Sequence, residues 1–129
     1  MPVTRIEVKK SWSAEKQQQL IGATHAALVE ALKIPESDKI IRFVEHRPEN
    51  FLTPPGTSDS YTLVEISLFP GRSLDAKRNL YQGIVKRFGE LGIEPHDVRI
   101  VLYEAPMENW GIRGGIPATD ITLGFQVNV

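Results

Sequence analysis

The sequence predicts an α/β protein made of two β-α-β units in tandem, with both helices on one face of a four-stranded sheet. Three observations lead to this fold class. A strand pattern, a helical pattern and a second strand pattern occur in that order in residues 2–47 and again in residues 61–105. The two halves also share letters, because residues 32–38 resemble residues 91–97. Residues 47–60, which separate the halves, include three prolines and are typical of a loop.

The first unit begins with a strand, since residues 3–8 alternate between apolar and polar side chains. Ser13 is a good N-cap for the following helix, and Glu15 places a negative charge in its first turn, where the helix dipole favours it. Apolar residues recur at helical spacing until Pro35 ends the helix, and residues 40–46 predict the second strand. Because β-α-β crossovers are right-handed, the two strands should be parallel neighbours.

The second unit repeats this order. Residues 61–69 are rich in β-forming side chains and predict the third strand. Ser73 and Asp75 again combine a cap with an acid at the start of a helix. Residues 98–103 predict the fourth strand. The second helix has an apolar face at helical spacing, formed by Leu80, Ile84, Phe88 and Leu91.

Composition narrows the range of functions. The 129 residues carry a net charge of −1 without a basic stripe, so no nucleic-acid partner is expected. No apolar run approaches the ~20 residues of a membrane-spanning helix, and residues 1–10 lack the apolar core of a signal peptide. We therefore expect a cytoplasmic protein with no membrane partner. The absence of cysteine excludes disulfides and thiol chemistry, and no histidines or carboxylates have metal-ligand spacing.

We expect a single domain, residues 1–129, that ends in a β tail, residues 106–129. Alternation along the strands puts apolar side chains on both faces of the sheet, whereas the helices cover only one face. Because an uncovered apolar face usually marks an interface, we expect a homo-oligomer. The tail has two short β-prone stretches around Gly114 and Gly115, which either pair with a neighbouring subunit or form a hairpin within the chain.

Several of these features together resemble a known family. They are Pro2 directly after Met1, the β-α-β duplication, Phe-Pro-Gly-Arg-Ser in residues 69–73, and Glu-Asn-Trp-Gly in residues 108–111. With them the chain resembles the tautomerase superfamily, with its 4-oxalocrotonate tautomerase-like (tautomerase/MIF-like) fold, over nearly its whole length. Residues 34–38 and 46–48 are similar to the malonate semialdehyde decarboxylase branch.

The resemblance implies a mixed sheet with antiparallel central strands, classed as α/β or in some schemes α+β, and a homotrimer. It also implies an enzyme without a cofactor or a metal, acting on a small carboxylate substrate. Members of the family enolise or ketonise 2-oxo acids, hydrate or dehalogenate unsaturated acids, or decarboxylate a 3-oxo acid.

Pro2 is the first candidate catalytic residue. Removal of Met1 would leave a secondary amine, and an α-amino group titrates at about 7.7–8.0 in model compounds. Burial or a nearby cation such as Arg72 would lower that pKa. A neutral amine is a usable general base near pH 7, and a protonated one is a general acid. If Met1 is retained, Pro2 is an amide nitrogen and cannot be a base.

Arg72 is the second candidate. It lies where a strand leads into a helix, so free N–H groups and a guanidinium can together bind a carboxylate. The alternative is a solvated arginine in a loop. The resemblance implies carboxylate binding and polarisation. In the resembling decarboxylases a second arginine lies two positions earlier, where this chain has Pro70, which weighs against decarboxylation.

Asp38 is the third candidate, because the starts of parallel strands share one edge of the sheet, which brings it near Pro2. The resemblance implies that it activates water or orients the substrate. The alternative is a capping residue, since Asp97 occupies the same position in the second repeat. Two aromatic residues are candidates for substrate binding. Trp110 either walls the pocket or anchors the tail, and Tyr103 either acts as a phenolic acid or packs.

Together these residues predict keto–enol proton transfer on a small 2-oxo acid by Pro2, with Arg72 stabilising the enolate. Hydration or dehalogenation of an acetylenic or chloroacrylic acid, with Asp38 activating water, is an alternative, as is malonate semialdehyde decarboxylase-like chemistry. A non-catalytic oligomeric binding protein is the alternative from a different class.

Overall fold

The computed structural model describes residues 2–129. Neither helix within them has the length and apolar character that crossing a membrane requires. The main elements, in chain order, are β1 (Val3–Val8), α1 (Ala14–Leu32), β2 (Ile40–Glu45), β3 (Thr62–Leu68), α2 (Leu74–Glu90) and β4 (Val98–Glu104), followed by the short strands β5 (Gly111–Ile112) and β6 (Ile116–Pro117).

Both long helices begin at the predicted caps. The Ser13 hydroxyl accepts a hydrogen bond from the Lys16 N–H at 3.1 Å, and the Ser73 hydroxyl accepts one from the Ala76 N–H at 3.1 Å. These bonds satisfy main-chain donors that the first turn of a helix leaves free. The first helix ends through Lys33, which adopts a left-handed conformation (φ 58°) two residues before Pro35.

The main sheet has the order β2-β1-β3-β4. The β1–β2 and β3–β4 pairs are parallel and the central β1–β3 pair is antiparallel, so the predicted mixed sheet is confirmed. Val3 is paired with Ile40 on one side and with Ser67 on the other. The starts of β1 and β2 and the ends of β3 and β4 therefore meet at one edge of the sheet, which we call the Pro2 edge.

The helices cover one face of this sheet and form the core with it. Alternate residues of β1 and β3 point into that layer, as the period of a strand requires. The large side chains of the core that are fully buried include Ile6, Leu20, Leu28, Ile66, Leu68, Leu80, Ile84 and Phe88. The opposite, open face is more polar than the alternation suggested, because Arg42, Arg5 and Glu65 are adjacent across three strands.

The tail forms a hairpin within the chain, in which Ile112 is paired with Ile116. This is the second of the two predicted arrangements, while pairing with a neighbouring subunit stays a prediction. The last residues return to the turn between β3 and α2. There the main-chain oxygen of Val129 accepts hydrogen bonds from the Ser73 N–H at 3.4 Å and from the Ser73 hydroxyl at 2.8 Å.

Candidate active site

Pro2 is buried directly before β1, at the edge of the sheet that we call the Pro2 edge. Its neighbour Val3 is in register with the first residue of β2 and with Ser67 near the end of β3. The topology therefore brings Pro2 to the same edge as the segments that carry Asp38 and Arg72. Met1 lies outside the described residues, so its removal stays a prediction.

Arg72 lies in the turn between β3 and α2, and only 5% of its surface is exposed. Its Nη1 donates to the main-chain oxygen of Phe69 at 3.3 Å. Its Nε and Nη2 atoms are buried and have no hydrogen-bond partner within residues 2–129. These two nitrogens form one edge of the planar guanidinium, the edge that can bind both oxygens of a carboxylate at once. The turn therefore carries a guanidinium edge of the geometry that binds a carboxylate, which we call the fork.

The charges of described residues that act on Arg72 are acidic. Burial lowers the pKa of Arg72 below its ordinary value, and the negative charges of Asp38 and Glu104 oppose that shift. Arginine remains protonated in proteins even when its pKa is lowered, so Arg72 is a cation here. Asp38 lies in the segment before β2, and Glu104 is the last residue of β4. Glu104 is absent from the sequence-based candidates because only the strand register, which pairs it with Leu68, reveals its position.

The two repeat aspartates have different environments. Asp97 is 1% exposed and accepts hydrogen bonds from the Ser58 N–H at 2.8 Å and the Ser58 hydroxyl at 2.5 Å. Burial alone would raise the pKa of Asp97, but these bonds hold it below its ordinary value. Asp97 therefore anchors a loop. Asp38 is only partly buried and its negative charge acts on Arg72, so both interpretations of Asp38, the catalytic and the capping one, stay predictions.

Trp110 packs its ring edge against the ring of Phe69, with 5.0 Å between ring centroids. Its Nε1 donates to the main-chain oxygen of Ala105 at 3.0 Å. Because the Phe69 main-chain oxygen also accepts from Arg72, Trp110 contacts the residue that holds the fork in place. Both predicted roles, a pocket wall and an anchor for the tail, are compatible with this position.

Tyr103 lies elsewhere. It is one position before Glu104 on β4 and therefore faces the open side of the sheet, where it is 51% exposed. Its hydroxyl donates to a Glu65 carboxylate oxygen at 2.6 Å, and this hydrogen bond raises the pKa of Tyr103. Within one chain the structure does not bring the Tyr103 hydroxyl to Arg72.

The Arg72 turn is held by the C-terminal residues as well as by its own backbone. Gly71 has φ +128°, a conformation that favours glycine. A Cβ atom at this position would lie 2.6 Å from the Asn128 Oδ1 atom. Sequence reasoning missed this contact, since nothing local in residues 127–129 indicates where they pack. No three His, Asp or Glu side chains within residues 2–129 are grouped so that they could hold a metal ion.

Comparisons with known proteins show the family of the chain. A family profile described as "Tautomerase enzyme" matches residues 38–113, and a second profile with the same description matches residues 2–57. The chain is 26% identical over 121 residues to "Probable tautomerase YusQ" of Bacillus subtilis (strain 168). The alignment covers 89% of this chain and 95% of that protein.

Solved structures share the fold. FG41 malonate semialdehyde decarboxylase inhibited by 3-bromopropiolate superimposes with a TM-score of 0.82 at 25% identity, covering 89% of this chain and 92% of that chain. A fused 4-OT wild-type symmetric trimer superimposes with a TM-score of 0.81 at 20% identity, covering 91% of this chain and 96% of that chain.

Proposed function

The chain belongs to the tautomerase family, and on this premise we propose that it is a cofactor-independent tautomerase that moves a proton between carbon and Pro2 in a small 2-oxo carboxylic acid. The observation that carries the proposal is the buried Nε–Nη2 edge of Arg72, which has no hydrogen-bond partner within residues 2–129. A buried donor without a partner costs on the order of 1–3 kcal/mol, and a bound carboxylate would satisfy two at once.

In the proposed reaction, the amine nitrogen of Pro2 takes a proton from C3 of the substrate. The electrons of the C3–H bond form a C2–C3 double bond, and the carbonyl oxygen gains the negative charge. Arg72 binds the carboxylate and stabilises the charge that develops next to it. Transfer of that proton from the Pro2 ammonium to the oxygen, directly or through water, gives the enol and restores the neutral amine, and the reverse sequence ketonises an enol. The buried position of Pro2 supports this role because burial disfavours the charged amine.

Two further residues have proposed roles. Trp110 excludes water from the enol, supported by its contact with Phe69 at the base of the fork. Asp38 orients the substrate or a water molecule, supported by its electrostatic effect on Arg72. That same carboxylate favours hydration of an unsaturated acid as the second candidate function. Tyr103 stays a prediction without a role in this proposal, since its hydroxyl hydrogen is donated to Glu65.

The proposed assembly is a homotrimer. It is supported by the similarity to the fused 4-OT trimer and by the open face of the sheet, where the large side chains of Ile40 and Tyr103 are exposed. In such an assembly the tail of one copy could pair with the next.

The first test compares wild type with Pro2→Ala in the ketonisation of phenylenolpyruvate, followed by ultraviolet absorbance. Loss of a general base typically costs 10²–10⁴-fold, so we expect a drop of about that size. The mass of each protein shows whether Met1 has been removed. Equal rates in the two proteins, or no activity in a wild type with a free Pro2, would replace this proposal with hydration or with a binding function.

A further inference from the structure

A buried histidine in the middle of α1 is bonded to the loop that leads into β2. His25 is 7% exposed, and its Nε2 atom lies 2.7 Å from the main-chain oxygen of Glu36. Because a main-chain oxygen can only accept, Nε2 carries the hydrogen and donates it. The other ring nitrogen, Nδ1, is buried and has no hydrogen-bond partner within residues 2–129. The bond to Glu36 therefore fixes both the tautomer and the orientation of the ring.

The oxygen that accepts this bond belongs to a tight turn that ends at Asp38. The Asp38 N–H donates to the main-chain oxygen of Pro35 at 3.0 Å, and this bond closes the turn around Glu36. Two residues after Asp38, β2 begins, and its first residue is in register with the first residue of β1. The conformation of the turn therefore sets how Asp38 enters the Pro2 edge.

Packing does little to fix this turn. Ile34 is 4% exposed, but the next three residues, 35–37, are exposed. A cavity of about 370 Å³ lies between α1 and β2, and it is lined by His25 on the helix and by Lys39 and Ile41 beyond the turn. Because side chains do not fill this space, the hydrogen bond from His25 is what ties the turn to the helix.

The second repeat holds its aspartate in a different way. Its turn is also closed by a main-chain bond, from the Asp97 N–H at 2.9 Å. The positions of α2 that correspond to His25, 59 or 60 residues later, are Ile84 and Val85, which have no side-chain donor. There Ser58 bonds to the carboxylate itself. The His25 bond, by contrast, acts on the main chain of the turn and does not use the carboxylate of its aspartate.

We infer that His25 is a positioning residue, which acts through the turn at residues 35–38 to place Asp38 at the Pro2 edge. This inference rests on the proposed function in one respect, namely that Asp38 orients the substrate or a water molecule. Without its bond to α1 the turn would sample other directions, so Asp38 would spend a smaller fraction of the time in the productive position. The rate should then fall although Asp38 itself is unchanged.

The test is a double-mutant cycle on the ketonisation of phenylenolpyruvate. His25→Met removes the donor, and we expect kcat to fall about tenfold, less than the ~100-fold that a 1 Å misplacement can cost. His25→Gln keeps an N–H donor on a side chain of similar length and should restore most of the rate. When Asp38→Asn is already present, His25→Met should cost less than about twofold, because the carboxylate that it places has been removed.

Two measurements separate positioning from general damage. Hydrogen exchange of the Asp38 N–H, followed by nuclear magnetic resonance, should be faster in His25→Met than in wild type and close to wild type in His25→Gln. Thr24→Val is the matched control, because the buried Thr24 hydroxyl also bonds to a main-chain oxygen, that of Leu20 at 2.9 Å, but within α1. It should change neither kcat nor the exchange of the Asp38 N–H.

The outcomes distinguish the two proposals. Suppose that Pro2→Ala is inactive, but His25→Met keeps the wild-type rate, loses the same factor with and without Asp38→Asn, leaves the exchange of the Asp38 N–H unchanged, or is matched by His25→Gln. The inference about His25 is then wrong and the proposed function stands. If Asp38→Asn is as active as wild type, placing Asp38 has no catalytic value and the inference is wrong as well. A wild type with a free Pro2 that does not ketonise the substrate overturns the proposed function, and this inference with it.

Discussion

At the scale of residues, the burial of Arg72 lowers the stability of the folded chain. Two of its donor atoms are buried and have no partner in the described part of the chain, residues 2–129, and such groups cost free energy in the folded chain. The cost is recovered only when a ligand supplies acceptors. The contact with the Phe69 oxygen fixes the guanidinium at the other end, so the free edge has a defined direction before any ligand arrives.

Replacing Arg72 by methionine should therefore separate binding from stability. We expect kcat/KM to fall about 10–100-fold, since charge-assisted hydrogen bonds contribute on the order of 1.5–3 kcal/mol. The melting temperature should stay equal or rise, because two buried donor atoms that have no partner within residues 2–129 have been removed. Arg78→Met, which removes an exposed arginine of α2, should change neither quantity. An unchanged KM would remove Arg72 from the site, and a large loss of stability would contradict its unsatisfied burial.

A residue could be named as a candidate from the sequence only where its neighbours in sequence indicate its position in the fold. Pro2 and Arg72 stand in recognisable surroundings, the chain start and a strand-to-helix turn. Glu104 has no local signal, because its approach to Arg72 depends on the parallel register of β3 and β4. Tyr103 shows the same limit, since a shift of one position along a strand exchanges the two faces of the sheet.

At the scale of elements, the turn from β3 to α2 is held by contacts with the C-terminal residues of the chain. The C-terminal residues bond to Ser73 and pack against Gly71, so a segment distant in sequence sets the conformation of the turn that carries Arg72. Helix starts were predictable because a cap bonds within its own turn. The contact of the tail was not, because it is a tertiary contact.

Gly71→Ala tests this dependence. The added Cβ would meet the Asn128 side chain, and the positive φ is strained for alanine. We expect the free energy of unfolding to fall by about 1–3 kcal/mol, with a rise in KM because the fork is displaced. Gly22→Ala is the control: it lies within α1 with no atom within 4 Å of the added Cβ and should stabilise the protein slightly. A harmless Gly71→Ala would show that the tail does not constrain the turn.

At the scale of the whole molecule, the fold followed from the duplication, and the family resemblance is confirmed by the profile matches. Strand bounds agree to within one residue, since β2 ends at Glu45, β3 spans Thr62–Leu68 and β4 extends to Glu104. The path of the tail was left between two arrangements because short β-prone stretches do not identify their partner.

Assembly is tested by sedimentation. We expect a species of three times 14.5 kDa. Ile40, which is 48% exposed at the start of the edge strand β2, points to the open face, so Ile40→Lys should shift the protein towards smaller species. Gln82→Lys, an exposed change on α2, should not. A wild type that sediments as a monomer would overturn the proposed trimer.

The anchoring of Asp97 has a consequence for symmetry. A duplicated β-α-β unit generates two equivalent sheet edges, and Asp97 occupies at the second edge the place that Asp38 has at the first. There the linker between the repeats fills the space: Ser58 bonds to Asp97, and Lys9 Nζ bonds to Thr53 at 2.8 Å. The duplicated chain is thus asymmetric, with one edge bonded to its own linker and the other the place of the proposed reaction.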